Sequence, residues 1–204
     1  MQIKKEEVEN ALKREAKKQF LDHGFEKVSL RKIVKNAGTT LGNFYNYFDS
    51  KEALFASIVE QAYHSIIYVI NNHQKWERND DLWKVQDVSV WRRELLKLIT
   101  PVIPNFTSAF VILIEGSTGT RFEHAKDDLI RVLSEHFLEH IENFNPNYEN
   151  SELAGVLSNQ LIFGLLQIIK SFEDEDIRAK LITEQILFFA IGTMGILKSE
   201  KSVL

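Results

Sequence analysis

Apolar residues recur at intervals of three and four along nearly the whole chain, and its three prolines stand only at positions 101, 104 and 146. Such spacing lines one face of a helix, whereas a half-buried strand needs strict alternation. No segment alternates, so the chain is expected to be all-α. Val8, Leu12, Ala16 and Phe20 step by four along a first helix of roughly 5–23 that Gly24 ends. Ser29 stands as N-cap of a short helix over 30–36, with Leu30, Ile33 and Val34 inward, and Gly38 marks a turn. Thr39 or Thr40 then caps an aromatic-rich element reaching residue 48. Asp49 or Ser50 caps a long helix from Lys51 to about Asn72, striped by Leu54, Ile58, Ala62, Ile66 and Val69. Further helices are expected near 82–99, 105–115, 121–144, 151–170 and 175–198. The organisation expected is a three-helix head, residues 1–50, joined through the Lys51 helix to a larger helical body, residues 51–204.

A chain of 204 residues buries a sizeable core without staples. It has no cysteine, which removes disulfides and thiolate metal sites and fits a reducing compartment. The first ten residues, MQIKKEEVEN, are charged and hold no apolar run of signal-peptide length, and charges interrupt the later apolar stretches. A cytoplasmic protein with no membrane partner is expected. The net charge of -4 hides an asymmetry: residues 1–52 carry 11 Lys or Arg against 8 Asp or Glu, and the remainder 14 against 21. A basic head on an acidic body suits a nucleic-acid reader whose bulk repels phosphate.

Residues 28–55, VSLRKIVKNAGTTLGNFYNYFDSKEALF, sharpen that reading. In a helix-turn-helix the second helix enters the major groove, so its outward residues are polar or small while its inward ones anchor it. Phe44 and Phe48, four apart, suit the head's core. Thr39, Thr40, Asn43, Asn46 and Tyr47 are left to face a groove, with the Tyr45 hydroxyl beside them. Arg31, Lys35 and Lys51 place cations near the same surface, and Lys51 opens a helix whose amides favour phosphate oxygens. Phosphate contacts carry affinity but no sequence information, so base discrimination falls to Thr40, Asn43, Asn46 and the methyls of Thr39 or Leu41.

The residues Ala16, Phe20, Gly24, Phe25, Ser29, Ile33, Val34, Ala37, Gly38, Thr39, Thr40, Gly42, Phe44, Tyr45, Tyr47, Phe48, Ser50, Lys51, Glu52 and Leu54 together resemble the N-terminal domain of the TetR family of transcriptional regulators. The resemblance covers about a quarter of the chain. Two positions depart from it: Thr39 stands where Val is common, and Leu41 where Lys, Arg, Pro or Thr is more usual. The resemblance implies that Ser29, Thr40, Tyr45, Tyr47 and Lys51 touch phosphates, that Asn43, Asn46 and Leu41 lie nearest base edges, and that the protein represses transcription.

One head contacts one half-site, so two heads about one helical turn apart, roughly 34 to 36 Å, are expected on double-stranded DNA. Residues 151–170 and 175–198 carry more apolar surface than one face needs, enough for two chains to share a four-helix bundle. The resemblance likewise implies a homodimer through the last two helices, with Leu157, Leu161, Gly164, Ile168, Phe188 and Gly192 as candidate contacts. Glycine inside a helix costs up to about 1 kcal/mol relative to Ala, a loss offset where backbones approach closely or where a helix ends or kinks. The body also concentrates aromatics that suit a largely apolar small-molecule effector, with Trp91, Phe110, Phe163 and the anchor Glu115 as candidate ligand contacts.

His136, Glu139 and His140 spell H-x-x-E-H, a pattern used by some zinc peptidases. Both histidines flank the stripe Leu129, Leu133, Phe137 and Ile141, where helix-edge histidines need no metal. No catalytic residue, cofactor or bound metal is therefore expected. Two alternatives stand beside the regulator: a metal-responsive one using His136 and His140, with His124 as a further candidate, and a helical adaptor without DNA binding.

Overall fold

The computed structural model describes residues 2–77, 88–144 and 151–198. They form α1 (Gln2–Lys27), α2 (Leu30–Asn36), α3 (Leu41–Phe44), α4 (Lys51–Glu77), α5 (Val88–Ile99), α6 (Ser108–Glu115), α7 (Ala125–Phe144), α8 (Glu152–Ser171) and α9 (Glu175–Lys198), with a 3-10 turn at Ile103–Asn105. No strand occurs among the described residues, so the chain is all-α.

Local chemistry explains the breaks. Gly38 has φ +69°, with its N–H donated to Lys35 O at 3.2 Å and the Thr39 N–H to Val34 O at 3.0 Å. That pair of bonds satisfies the last carbonyls of α2 and needs a left-handed residue at the turn. Thr40 caps α3 by accepting from the Asn43 N–H at 3.2 Å, and Ser50 caps α4 by accepting from Ala53 N–H at 3.0 Å. Ser29 sits in extended backbone before α2 but makes no side-chain cap bond. The helical run of α1 is broken at Gly24 as expected, at φ 73° and ψ 166°, and a short second stretch continues beyond it to Lys27. Glycine alone tolerates that backbone region.

The chain divides into two compact units. The first comprises Met1–Ser65 and Thr107–Lys126, the second Ile66–Phe106 and Asp127–Leu204. The division falls elsewhere than at residue 50: the head takes in the first half of α4 and a distant segment containing α6. Packing explains why. The Phe25 N–H freed by the Gly24 kink is donated to Gly116 O at 2.8 Å. Added to Gly116, a Cβ would stand 3.0 Å from Ile112 O and 3.3 Å from Phe20 O, so α6 ends against the backbone of α1. Phe55 meets Phe20 at 5.1 Å, Phe25 at 5.3 Å and Phe122 at 6.2 Å between ring centres. Arg121 then binds Glu52 through its backbone N–H at 3.0 Å and Glu60 through its guanidinium. Each buried Phe contributes roughly 1.5–3 kcal/mol relative to an exposed one.

In the second unit α8 packs on α9, and α5 and the 3-10 turn also meet α9. Ala154, Ser158, Leu161, Ile162, Leu165, Leu166 and Ile169 form the inner stripe of α8. By length and composition α8 is apolar enough to cross a bilayer, which is weak evidence, since a core helix with a buried stripe passes the same test. Gly164 admits Gln185 of α9 over the α8 backbone, where Gln185 Nε2 donates to Leu161 O at 3.2 Å. The space left at Gly164 is thus taken by a side chain of α9 in the same chain.

Candidate nucleic-acid interface

Of residues 39–48, the two expected inward are buried, and those expected outward divide between exposed and half-buried. Phe44 and Phe48 are buried, 5.6 Å apart between ring centres, and fasten the segment to the head. Thr40 and Asn46 are exposed, Tyr45 is 54% exposed, and Thr39, Leu41, Asn43 and Tyr47 are half-buried. α3 itself is one turn. Beyond Phe44 the chain continues through i to i−3 bonds, Asn46 N–H to Asn43 O at 3.1 Å and Tyr47 N–H to Phe44 O at 2.9 Å. Ser29, Arg31, Lys32 and Lys35 are exposed along α2, and Lys5 stands 6.0 Å from the centre of the Tyr47 ring.

Side-chain hydrogen bonds organise this surface. Asn43 Nδ2 donates to Thr39 Oγ1 at 2.8 Å, and Asn46 Nδ2 donates to Asn43 Oδ1 at 3.1 Å. Behind it, Glu15 of α1 accepts from Asn36 Nδ2 and Gln19 Nε2, each at 2.8 Å, and the Asn36 amide holds the Glu15 carboxyl below the usual carboxylate range.

Lys51 has a role its sequence context did not disclose. Its ammonium donates to Phe25 O at 2.7 Å and Val28 O at 3.0 Å and lies 4.0 Å from the Phe25 ring centre. Burial pushes its pKa below the ordinary lysine value, with Glu26 opposing. Two of three N–H groups are thus spent on joining the end of α1 to the start of α4. Lys51→Met, which keeps the stem and orphans two carbonyls, is expected to cost about 1–3 kcal/mol of stability. An unchanged thermal melt would remove this clamp.

Residues 14–58, which contain this whole arrangement, match the family described as bacterial regulatory proteins, tetR family. Residues 14–58 are a tetR-family domain. Two curated relatives are similar over part of the chain. One is the uncharacterized HTH-type transcriptional regulator YvdT of Bacillus subtilis (strain 168), 36% identical over 69 residues, which are 34% of this chain and 34% of that protein. The other is the uncharacterized HTH-type transcriptional regulator YdgC of the same strain, 41% identical over 59 residues, 29% of this chain and 30% of that protein. The chain spans about a third of the length of the curated relatives it matches.

The family match stops inside α4, at residue 58. Phe110 is buried in α6, within the first unit, and Glu115 is exposed at its end. Phe163, expected to line a ligand pocket, is instead 63% exposed on α8, two turns from the exposed Val156. Their spacing of seven was the signal that both leave the α8 core stripe on the same side. The Trp91 side chain lies outside the described residues. Among the candidate dimer contacts, Phe188 is 74% exposed and Gly192 is exposed, Leu157, Gly164 and Ile168 are half-buried, and Leu161 is buried in its own unit. His136 is half-buried beside Phe137, and the His140 side chain lies outside the described residues. Among the described residues, no group of His, Cys, Asp or Glu is placed to hold a metal ion.

Proposed function

We propose that this chain is a DNA-binding transcriptional regulator that works as a homodimer in the cytoplasm, represses from a palindromic operator and releases it on binding a largely apolar small molecule. The observation that carries the reading is the sorting of residues 39–48: two buried phenylalanines anchor a polar and aromatic surface of Thr40, Tyr45 and Asn46 that stands open to a partner. Arg31 and Lys35 rim that surface, and the Ser29 hydroxyl, free of any capping bond, faces outward with them. Ser29, Thr40, Tyr45, Tyr47 and the remaining N–H of Lys51 are the phosphate contacts in this reading, and Thr39, Leu41, Asn43 and Asn46 lie towards the bases.

Dimerisation draws support from Val156, Phe163 and Phe188, apolar side chains that a lone chain leaves in water. Effector response draws support from the segment Thr107–Lys126, which is built into the head yet flanked on both sides in sequence by chain of the second unit. A ligand that prefers one arrangement of the flanking chain acts on the head through that segment, and a coupling of about 1 to 3 kcal/mol is enough for a modest switch.

The direct test is a titration against random-sequence duplex at two salt concentrations. A protein making 6 to 10 phosphate contacts loses roughly 10³ to 10⁵ in affinity between 50 and 200 mM salt. Binding that is absent, or indifferent to salt, rejects the DNA-binding reading.

A further inference from the structure

The polar chain on the reading surface is unequal at its two ends. Asn43 gives one amide N–H to Thr39 Oγ1 and takes the Asn46 amide on its Oδ1, so both ends of its carboxamide are engaged and it is half-buried. Its backbone N–H is engaged too, by the Thr40 cap. Asn46 gives only one N–H to the chain. Its Oδ1 and second N–H have no partner among the described residues, and the side chain is exposed. An amide left to itself flips between two orientations, but one whose nitrogen is held by an acceptor has its oxygen fixed on the other side. A carboxamide presenting one N–H and one oxygen together matches the N7 acceptor and N6 donor of adenine in the major groove, and no other base edge there offers that pair in that order.

We propose that Asn46 is the specificity-determining residue of the head, selecting adenine through its carboxamide, and that Asn43 is a positioning residue that orients Asn46 and reads no base itself. Thr39, through its hydroxyl, is the start of the same relay. The proposal rests on the DNA-binding reading above and divides the labour between two asparagines that the sequence presents as equivalent.

Selection of bound duplexes from a random pool, run with the full chain, tests it. The unsubstituted protein is expected to select a pool with adenine at one position of each half-site. Asn46→Ala should erase that preference alone, a loss of roughly tenfold to a hundredfold in discrimination. Asn43→Ala and Thr39→Val should weaken preference at the same position and at no other, the double change Asn43→Ala with Asn46→Ala should be no worse there than Asn46→Ala, and Thr39→Ser should restore what Thr39→Val loses. A merely structural role for Asn43 or Thr39 would lower affinity for every sequence alike and leave the preference intact, which would overturn the relay. Asn43→Ala relaxing a different base pair from Asn46→Ala, or Asn46→Ala relaxing a position that is not adenine, would overturn the assignment. If the unsubstituted protein selects nothing and binds no duplex, it is the DNA-binding reading that fails instead.

Discussion

Phe55→Ala is expected to lower the stability of the first unit by about 3–5 kcal/mol, the usual cost of emptying a buried phenylalanine site. Phe55 has no exposed surface and is ringed by Phe20 and Phe25 of α1 and by Phe122, which come from two separate stretches of chain. Collapse of the site is therefore restricted, because the neighbours are held by the Phe25 to Gly116 bond and by the Arg121 contacts with Glu52 and Glu60. Against a total stability that for single domains is about 5–15 kcal/mol, such a loss leaves the head marginal. Trp76 and Trp91 belong to the second unit and no tryptophan to the first, so tryptophan fluorescence and far-ultraviolet circular dichroism report different events. In a urea titration the dichroism should begin to fall well before the tryptophan signal moves, and specific DNA binding should vanish with the first transition. A midpoint shift worth less than about 1 kcal/mol would mean that Phe55 is not the centre of the head.

The second large effect is on assembly. Glutamates at Phe163 and Phe188 place charge on the surface expected to meet a second copy of the chain, whose apolar members include Val156. Truncating a buried interface aromatic costs about 2 kcal/mol or more, roughly thirtyfold in dissociation constant, and a buried unpaired carboxylate costs further. The double variant is expected to sediment as a monomer where the unsubstituted protein is a dimer. Its helicity should be unchanged, because Phe188 and Phe163 are mostly exposed in the single chain. Operator affinity should drop more than a hundredfold while affinity for an isolated half-site is preserved. A double variant that stays dimeric moves the interface elsewhere, and an unsubstituted protein that is monomeric at micromolar concentration removes it.

Much of the head was legible in the sequence because its signals are local. Ser29, Gly38, Thr40 and Ser50 punctuate α2, α3 and the start of α4 within the residues that form them, and the step from Phe44 to Phe48 fixed which side of the segment goes inward. What escaped depends on residues far apart. Gly24 reads as a break in the helix, but nothing near it reveals Gly116, whose carbonyl receives the Phe25 N–H beyond that break. Lys51 looked like a free cation, since the carbonyls of Phe25 and Val28 reach it only once α1 has folded back. An aromatic in an apolar run does not by itself give its side, and it is the spacing of Phe163 from Val156 that tells that both leave the core stripe. Asn43 and Asn46 looked interchangeable, and only the direction of their hydrogen bonds tells them apart.

The insertion of Thr107–Lys126 into the head also bears on any attempt to move that head elsewhere. A graft of residues 1–50 onto a foreign sensor would transplant a reading surface without its buttress. Phe55 and Phe122 would be left behind, and the Phe25 amide would lose its acceptor. A chimera that keeps its grip must splice two pieces of chain, drawn from either side of α5, into the recipient at once.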